Sequence, residues 1–355
     1  MSDAPTLAEL DGSEPGVRLV NLADVTPERI DWLWPGYLAR GKLHVIDGDP
    51  GLGKSTMTLD VAARVTNGKP WPDAQPGCTP AGVVLLSAED GLGDTIRPRL
   101  DAAGADVAQV VALTAIPYRD EQSGQLVDRM PALPGDIPRV REAVDQVGAA
   151  VVIVDPLMAY LGGDVNSHRD QDVRRALAPL AKMAEQIGAA VILVRHLSKG
   201  GGSNAVYRGG GSIGIIGAAR LGFTVARDPD DEARVIVACT KANITAMPPS
   251  LAYQLVDSPD HGCARVEWHD GPVSYSAADL LHASQESPED RADRIDAAAW
   301  LRGHLVDNGG EAKPNDVIGT GRKVGLSPDA LKRAKRQAGV VSRKVDDGWL
   351  WVIEP

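Results

Sequence analysis

The sequence has few cysteines, no long apolar segment and no overall excess of positive charge. Its three cysteines, Cys78, Cys239 and Cys263, lie far apart and without metal-ligand spacing, which argues against a disulfide framework and a cysteine-based metal site. No apolar run approaches the roughly 18 residues of a membrane span. The acidic N-terminus lacks the basic-then-apolar order of a signal peptide. These absences predict a cytoplasmic protein with reduced thiols and no membrane partner.

Positive charge is concentrated near the C-terminus. The 355-residue chain carries a formal net charge of −11, which by itself argues against nucleic acid as a partner. Between Lys313 and Lys344, however, nine basic residues face two acidic ones, so this segment is +7 and the rest of the chain −18. Such an asymmetry points to a nucleic-acid contact, and a solvated helix face explains it equally well.

From Lys42 to about Arg234, apolar runs alternate with helical patterns. The runs typical of strands are KLHVID (42–47), VVLLS (83–87), VVAL (110–113), AAVVIVD (149–155) and AAVILV (189–194), and helices are predicted around 54–66, 92–103, 138–147 and 171–187. Short strands that are apolar throughout, separated by helices, predict a parallel sheet covered on both faces. Runs 221–226 and 233–240, with no helix between them, predict an antiparallel pair at its edge. Runs 251–256 and 263–269 predict another hairpin.

The stretch GDPGLGKST lies between a predicted strand and a predicted helix and fits the phosphate-binding pattern G-x-x-x-x-G-K-[ST]. Its glycines let backbone N–H groups point inward around phosphates, and the helix N-terminus adds a favourable partial charge. Lys54 is expected to reach the β- and γ-phosphates, and Ser55 to ligate Mg²⁺. We therefore predict ATP and Mg²⁺ as cofactors. The predicted nucleotide-binding residues of this stretch are Gly48, Asp49, Pro50, Gly51, Leu52, Gly53, Lys54, Ser55 and Thr56.

Two acidic residues close apolar strands and are candidates for the chemistry of the same site. Asp155 ends AAVVIVD, where a carboxylate can hold Mg²⁺ together with Ser55; a turn aspartate before Pro156 is the alternative interpretation. Glu89 follows the strand VVLLS, and at such a strand end a carboxylate can orient and deprotonate the attacking water. Asp90 competes for that role, and the longer reach of Glu89 favours Glu89.

The order of these motifs resembles the RecA-like hexameric ATPases, above all the RepA/DnaB-type helicases and their phage- and plasmid-borne AAA-family relatives. The resemblance covers about residues 30–257 and rests most on the GDPGLGKST and RHLSKG segments. It also includes WPGYLARGKL, LLSAED, VIVDPLMAYL, the RGGGS–AAR stretch and TKANI with PPSLAYQL. It implies a homo-oligomeric ring of six subunits, ATP bound between neighbours, and channel loops that grip single-stranded DNA. A primase or a replication initiator is a further partner that it implies.

Within this resemblance, His196 takes the place of a polar sensor at the end of a central strand, close to the γ-phosphate. The glycine-rich loop 200–211 is then expected to change conformation between nucleotide states. Tyr207 is expected to stack on a base, and Arg208 to contact a phosphate, with Lys199 as a further DNA-binding residue in the same stretch.

A second candidate DNA loop is GGDVNSHRDQDVRR, residues 162–175. Arg169 and Arg174 are its predicted DNA-binding residues. A solvated helix start, capped by Ser167 or Asp170, explains the same pattern equally well.

An ATP site between subunits needs a positive charge from the neighbour. Arg220 matches the arginine finger of RepA-type ATPases. Lys241 resembles the lysine of the K-x-R pair in DnaB-type helicases, and we expect it to contact nucleotide. Asn243 stands where that pair has its arginine, which favours Arg220 as the trans-acting residue.

The C-terminal segment has the pattern of a winged helix-turn-helix: helices at 291–306, 313–324 and 327–339, followed by a hairpin. The third helix carries its basic residues on consecutive turns, as a groove-docking helix does, which adds duplex DNA as a partner. These residues are Lys332, Arg333, Lys335 and Arg336. Winged helices also serve as protein-interaction modules, and that alternative stays open.

The sequence thus predicts an α/β fold: a RecA-like P-loop core with a mostly parallel sheet, helices on both faces and antiparallel edge strands, plus a small C-terminal winged-helix domain. The predicted segments are an acidic lead-in (1–40, with a helix start at Thr26 and Pro27), an ATPase domain (41–282), a linker (283–293) and the winged helix (294–355).

The predicted function is an ATP hydrolase of the DNA helicase type, a RepA/DnaB-like translocase on single-stranded DNA from a mobile element or phage-like locus. The alternative is a RecA/RadA/KaiC-like ATPase that acts as a recombination mediator or a regulatory DNA-binding ATPase without unwinding. A non-catalytic DNA-binding adaptor is disfavoured, because Lys54, Glu89 and Asp155 are all present.

Overall fold

A nine-stranded sheet organises the chain from Leu43 to Trp268. The computed structural model describes residues 19–120, 123–196, 213–283, 288–335, 337–345 and 348–353, and for residues 288–295, 329 and 333 it describes the backbone alone. The strands up to this point are β1 (Trp32–Trp34), β2 (Leu38–Ala39), β3 (Leu43–Gly48), β4 (Gly82–Ser87), β5 (Val110–Ala112), β6 (Ile116–Arg119), β7 (Leu126–Arg129), β8 (Ala149–Asp155), β9 (Ala190–His196), β10 (Leu221–Arg227), β11 (Arg234–Ala242), β12 (Leu251–Ser258) and β13 (Cys263–Trp268).

The strand order in the large sheet is β13-β12-β11-β10-β3-β9-β8-β4-β5. From β10 to β5 all neighbouring strands are parallel. The strands β11, β12 and β13 extend the sheet as an antiparallel edge. This arrangement confirms the predicted mostly parallel sheet with antiparallel edge strands, while β1–β2 and β6–β7 form separate two-stranded hairpins.

Helices cover both faces of this sheet. They are α1 (Lys54–Asn67), α2 (Arg97–Ala103), α3 (Ile137–Val147), α4 (Asp170–Ile187), α5 (Ile213–Ala218) and α6 (Ala277–Ala283), and a π-helical turn (Leu92–Ile96) precedes α2. Alternate strand residues point to opposite faces: Val83 and Leu85 pack with α1 and α2, whereas Val84 and Leu86 pack with α3 and α4. Among the described residues, no helix combines the length and apolarity needed to cross a membrane.

The helix start predicted at Thr26 and Pro27 is wrong. Residues 26–31 contain no helix, and Trp32–Trp34 is the strand β1. The Trp34 ring stacks on Trp71 at 4.9 Å between ring centroids, in the same apolar cluster as the sheet. Large aromatic side chains dominate core packing, so this burial outweighs a local helix signal. The compact unit that contains this cluster begins at Trp32, and the predicted boundary after residue 40 stays a prediction.

The C-terminal elements enclose an apolar cluster of their own, which includes Leu301, Val317 and Leu331. They are α7 (Pro288–Asp307), β14 (Glu311–Ala312), α8 (Pro314–Lys323), α9 (Pro328–Ala334), β15 (Val340–Val345) and β16 (Gly348–Ile353). Ser327 caps α9 by accepting a hydrogen bond from the Ala330 N–H at 3.1 Å. The three helices and the hairpin follow in the predicted order, although α9 ends earlier than predicted. Their assignment to the winged-helix class stays a prediction.

A buried histidine ties the β1–β2 hairpin to the sheet. Nε2 of His44, in β3, accepts a hydrogen bond from the Ala39 N–H at 2.9 Å. Nδ1 therefore carries the proton of the neutral ring and donates it to the Val191 carbonyl at 3.2 Å. Burial lowers the pKa of His44 from 6.5 to about 4, so the ring stays neutral in the fold.

We expect His44 to make the fold sensitive to acid. Because the unfolded chain binds this proton below about pH 6.5 and the folded chain only below about pH 4, the free energy of unfolding should fall by about 3 kcal/mol across that interval. Urea unfolding of the wild type and of His44→Gln at pH 7, 5.5 and 4.5 measures this. The variant should be less stable at pH 7 and should lose less stability on acidification. Equal losses in both proteins would contradict the assignment.

Candidate functional site

The glycine-rich stretch forms a turn between β3 and α1, as the motif requires. Gly51 and Gly53 both have a φ of +79°, a left-handed conformation that favours glycine. A Cβ on Gly48 would lie 2.6 Å from the Val225 carbonyl oxygen, and one on Gly53 would lie 2.8 Å from Cδ2 of Leu255. Larger residues are therefore excluded from the turn by backbone geometry and by its neighbours.

Strand β12, in the antiparallel edge of the sheet, contacts this turn. The Tyr253 hydroxyl, buried in β12, donates a hydrogen bond to the Leu52 carbonyl at 2.6 Å. Leu255, two residues further on the same face of the strand, packs on Gly53. Sequence reasoning did not identify either residue, because nothing in the local pattern of β12 indicates what it covers.

Lys54 is buried at the first position of α1 and points back into the turn. Its Nζ donates to the carbonyls of Gly48 and Asp49, each at 2.8 Å, and lies 3.3 Å from Nδ1 of His196. Burial lowers the pKa of Lys54, and the carboxylates around it, Asp155 foremost, act in the opposite direction. The ammonium is thus held where the motif places the β- and γ-phosphates.

The side chains of Ser55 and Asp155, the two predicted Mg²⁺ ligands, form a hydrogen bond with each other. Asp155 ends β8 beside Ser87 of β4. Burial raises the pKa of the Asp155 carboxyl, and its hydrogen bond with Ser55 and the charge of Lys54 lower it again. Mg²⁺ in nucleotide sites is held by one or two protein oxygens together with the phosphates, so a hydroxyl and a carboxylate in contact fit this ion.

The two candidates for the water-activating carboxylate have different surroundings. Asp90 forms an ion pair with Arg99, with Oδ2 and Nη1 2.8 Å apart. The Glu89 side chain is 62% exposed, and its Oε2 lies 3.7 Å from Nε2 of His196. An ammonium only donates, so Nδ1 of His196 accepts from Lys54 and Nε2 carries the proton that faces Glu89. This difference favours Glu89.

A buried ion pair lies one residue before Gly48 and His196 on their strands. Arg195 and Asp47 are paired neighbours on β9 and β3, their side chains are 1% and 2% exposed, and Nη2 donates to Oδ2 at 2.8 Å. Sequence reasoning missed this pair. The available signal was that each of two apolar strands has a charged residue near its end, and that the two charges have opposite signs.

Two further predicted site residues, Arg220 and Lys241, lie away from the glycine-rich turn. Arg220 directly precedes β10, at the opposite end of the sheet, and its side chain is exposed. Nζ of Lys241 is hydrogen-bonded to the carbonyls of Ile216, Gly217 and Ala219.

Four of the predicted DNA-binding side chains lie within the described residues. Arg169 is exposed at the start of α4, and Arg174, which is also exposed, lies beside Gly217 of α5. Nζ of Lys335 donates to Oγ of Ser342 at 2.6 Å and lies 4.9 Å from the centroid of the Trp351 ring, and its role in DNA binding stays a prediction. Lys332 is exposed. Outside the described residues or side chains lie Lys199, Tyr207, Arg208, Arg333 and Arg336.

Comparisons with known proteins place this site in a family. A family model described as "AAA domain" matches residues 11–202, more than half of the chain. The DNA repair protein RadA of Halalkalibacterium halodurans is 23% identical over 181 residues, which are 50% of this chain and 33% of RadA. RadA of Mycobacterium tuberculosis is 30% identical over 178 residues, 49% of this chain and 31% of RadA. The matched part is thus about a third of these relatives.

Among solved structures, the chain is similar to one described as an ATPase domain. The sequence identity is 14%, the TM-score is 0.46, and the alignment covers 67% of this chain and 92% of the other.

We expect the exchange Glu89→Gln to leave ATP binding intact and to lower turnover by roughly 10²–10⁴-fold, because the amide cannot take a proton from water. Steady-state ATPase assays and ATP titrations measure the two effects. The matched control is Asp90→Asn, which removes an ion pair with Arg99 but should retain turnover. Loss of turnover in Asp90→Asn alone would transfer the role to Asp90.

Proposed function

The chain belongs to the AAA domain family, and on that premise we propose that it is an ATP-driven motor on single-stranded DNA, a RepA/DnaB-like helicase that hydrolyses ATP between subunits of a ring. The observation that carries the proposal is the position of His196. One ring nitrogen lies 3.3 Å from Nζ of Lys54 and the other 3.7 Å from Oε2 of Glu89. A change at the γ-phosphate therefore reaches His196 directly.

His196 is also the last residue of β9, and the segment that follows it in sequence carries the proposed DNA-binding residues Lys199, Tyr207 and Arg208. Aromatic and basic side chains in one glycine-rich segment suit stacked bases and a phosphate backbone. In the proposed motor, His196 couples hydrolysis to the grip of this segment on DNA. The relatives named DNA repair protein RadA support a role on DNA.

Each residue around the turn has a part in hydrolysis. Lys54 holds the β- and γ-phosphates, and Ser55 and Asp155 hold Mg²⁺. When bound there, Mg²⁺ neutralises the negative charge that develops on the phosphates. Glu89 orients the attacking water and accepts its proton. The backbone N–H groups of the turn and the α1 N-terminus bind the phosphate oxygens.

Arg220 supplies the charge that completes the site of a neighbouring subunit. Its N–H donates to the Leu43 carbonyl at 2.9 Å, whereas Gly48 is level with Val225. The five residue steps from Leu43 to Gly48 span about 16 Å of strand. An arginine side chain does not bridge that distance, so Arg220 cannot reach the phosphates of its own chain. Within the described residues its guanidinium makes no hydrogen bond or ion pair, and it is exposed.

A second candidate function is a recombination mediator that assembles on DNA with ATP but does not unwind it. The RadA relatives favour it, since their name places them in DNA repair. The two candidates share the ATP site and differ in strand displacement. A fluorescence assay with a forked duplex, ATP and the full chain separates them: displacement supports the motor, and DNA-stimulated hydrolysis without displacement supports the mediator. Both candidate functions are compatible with further partners at the C-terminal helices, either duplex DNA or a primase or initiator protein.

We expect Arg220→Ala to keep the ATP affinity and to lower turnover by roughly 10³-fold or more, the range of finger residues. Mixing it with Glu89→Gln should restore activity, because some interfaces then pair an intact Glu89 with an intact Arg220. Steady-state ATPase across mixing ratios measures the recovery. The absence of recovery at every ratio would contradict a contribution from the neighbouring subunit.

Single-stranded DNA should stimulate the ATPase through the segment after His196. The double variant Tyr207→Ala/Arg208→Ala should lose this stimulation and keep the basal rate, because it removes a stacking group and a phosphate contact. The chain offers a matched control in the same dipeptide, Tyr118–Arg119, exposed on the β6–β7 hairpin. ATPase assays with and without oligothymidylate should show normal stimulation for Tyr118→Ala/Arg119→Ala. Equal stimulation of both variants would remove the segment from the DNA path.

A further inference from the structure

Lys241 is a partly buried lysine whose ammonium group lies against the C-terminal end of α5. Nζ donates to the carbonyls of Ile216 at 2.7 Å, Gly217 at 3.1 Å and Ala219 at 2.7 Å. An ammonium has three donors, and all three are used within its own chain. Lys241 therefore has no free donor for a phosphate of another subunit.

Ile216 and Gly217 belong to the last turn of α5, where a helix leaves its carbonyls without partners, and Ala219 directly follows the helix. These carbonyls also carry the negative end of the helix dipole, which a cation stabilises. Ala219, the last of them, directly precedes Arg220. Lys241 thus stabilises the backbone turn that directly precedes Arg220.

The backbone of Arg220 is held on both sides as well. Its N–H donates to the Leu43 carbonyl at 2.9 Å, and its carbonyl accepts from the Asn243 N–H at 3.0 Å. The side chain, in contrast, is exposed. A rigid backbone under an exposed functional group is the arrangement that holds such a group in a productive geometry.

The surroundings of Lys241 are positively charged. Nη2 of Arg174, from α4, lies 3.2 Å from the position that a Cβ on Gly217 would take. Burial, followed by the charges of Arg220 and Arg174, lowers the pKa of Lys241. The hydrogen bonds to three carbonyls keep the ammonium in place despite this repulsion.

We propose that Lys241 is a positioning residue that holds Arg220 in place for the ATP site of a neighbouring subunit, and that it is not itself a second cation at that site. This inference rests on the proposed role of Arg220. It gives Lys241 a different role from the nucleotide contact that its sequence position suggests. Asn243, which stands in place of an arginine, takes part in the same support through its backbone.

The first experiment compares Lys241→Met with Lys69→Met. Lys69 is a matched control, because its Nζ also caps a helix, donating to the carbonyls of Ala103 at 2.9 Å and Gly104 at 3.0 Å at the end of α2. Thermal unfolding should show a loss of stability in both. Only Lys241→Met should lower kcat, by roughly 10²-fold, the effect of a misplaced catalytic group, with KM unchanged. A normal kcat in folded Lys241→Met would overturn the inference.

The second experiment separates support from charge. Lys241→Gln keeps two N–H donors for the carbonyls but carries no charge, so it should retain clearly more kcat than Lys241→Met. In an Arg220→Ala background, Lys241→Met should cause no further loss, because nothing remains to be positioned. A Lys241→Gln variant as impaired as Lys241→Met, or a further loss in the double variant, would make Lys241 a direct contact.

Mixing Lys241→Met with Glu89→Gln tests whether Lys241 acts on the ATP site of a neighbouring subunit. Lys241→Met subunits should regain turnover in the mixture, because their own Glu89 then faces an intact Arg220. Failure of this recovery, when Arg220→Ala mixtures do recover, would overturn the inference and leave the proposed function standing. If Arg220→Ala itself retains wild-type turnover, the proposed role of Arg220 is wrong, and the inference about Lys241 is overturned with it.

Discussion

The buried ion pair between Arg195 and Asp47 joins the two strands on which the nucleotide site is built. Both side chains are almost fully excluded from solvent, so removal of the Arg195 side chain would leave the buried Asp47 carboxylate without this partner, at a cost of about 3–5 kcal/mol. Because the two residues are paired neighbours, the next pair in register is Gly48 with His196. The first glycine of the turn and the proposed sensor are therefore side by side, and Lys54 contacts both.

The polarity of the parallel sheet places the residues around the turn and Arg220 at opposite ends of the strands. The turn, Asp155 and His196 lie at the carboxyl ends of parallel strands, where ligands bind in open α/β sheets. Arg220 lies at the amino end of β10, level with Leu43. One chain thus presents a phosphate site at one edge and an exposed, rigidly supported arginine at the other. This geometry supports the proposed assembly between subunits.

The sequence by itself predicted most of the local elements and the residues of the glycine-rich turn. Alternation of apolar runs and helical patterns predicted the parallel sheet, and the antiparallel pairs were predicted from runs without an intervening helix. The turn residues were predicted because their spacing is set by contacts within nine consecutive residues. Asp155 was predicted because parallel strands bring their carboxyl ends to one edge. For the turn, the cause lies within a few residues of the signal; for Asp155, it lies in the regular geometry of a parallel sheet.

Only the tertiary structure decided which groups the charged residues contact. Lys241 and Lys335 belong to motifs typical of nucleotide and DNA contacts, yet both bind groups of their own chain. Arg174 lies beside Gly217, more than forty residues away in sequence. The choice between Glu89 and Asp90 depends on Arg99 and His196, which come from other elements. A sequence pattern shows that a cation or carboxylate is present, but its partner is set by packing between distant segments, which no local pattern records.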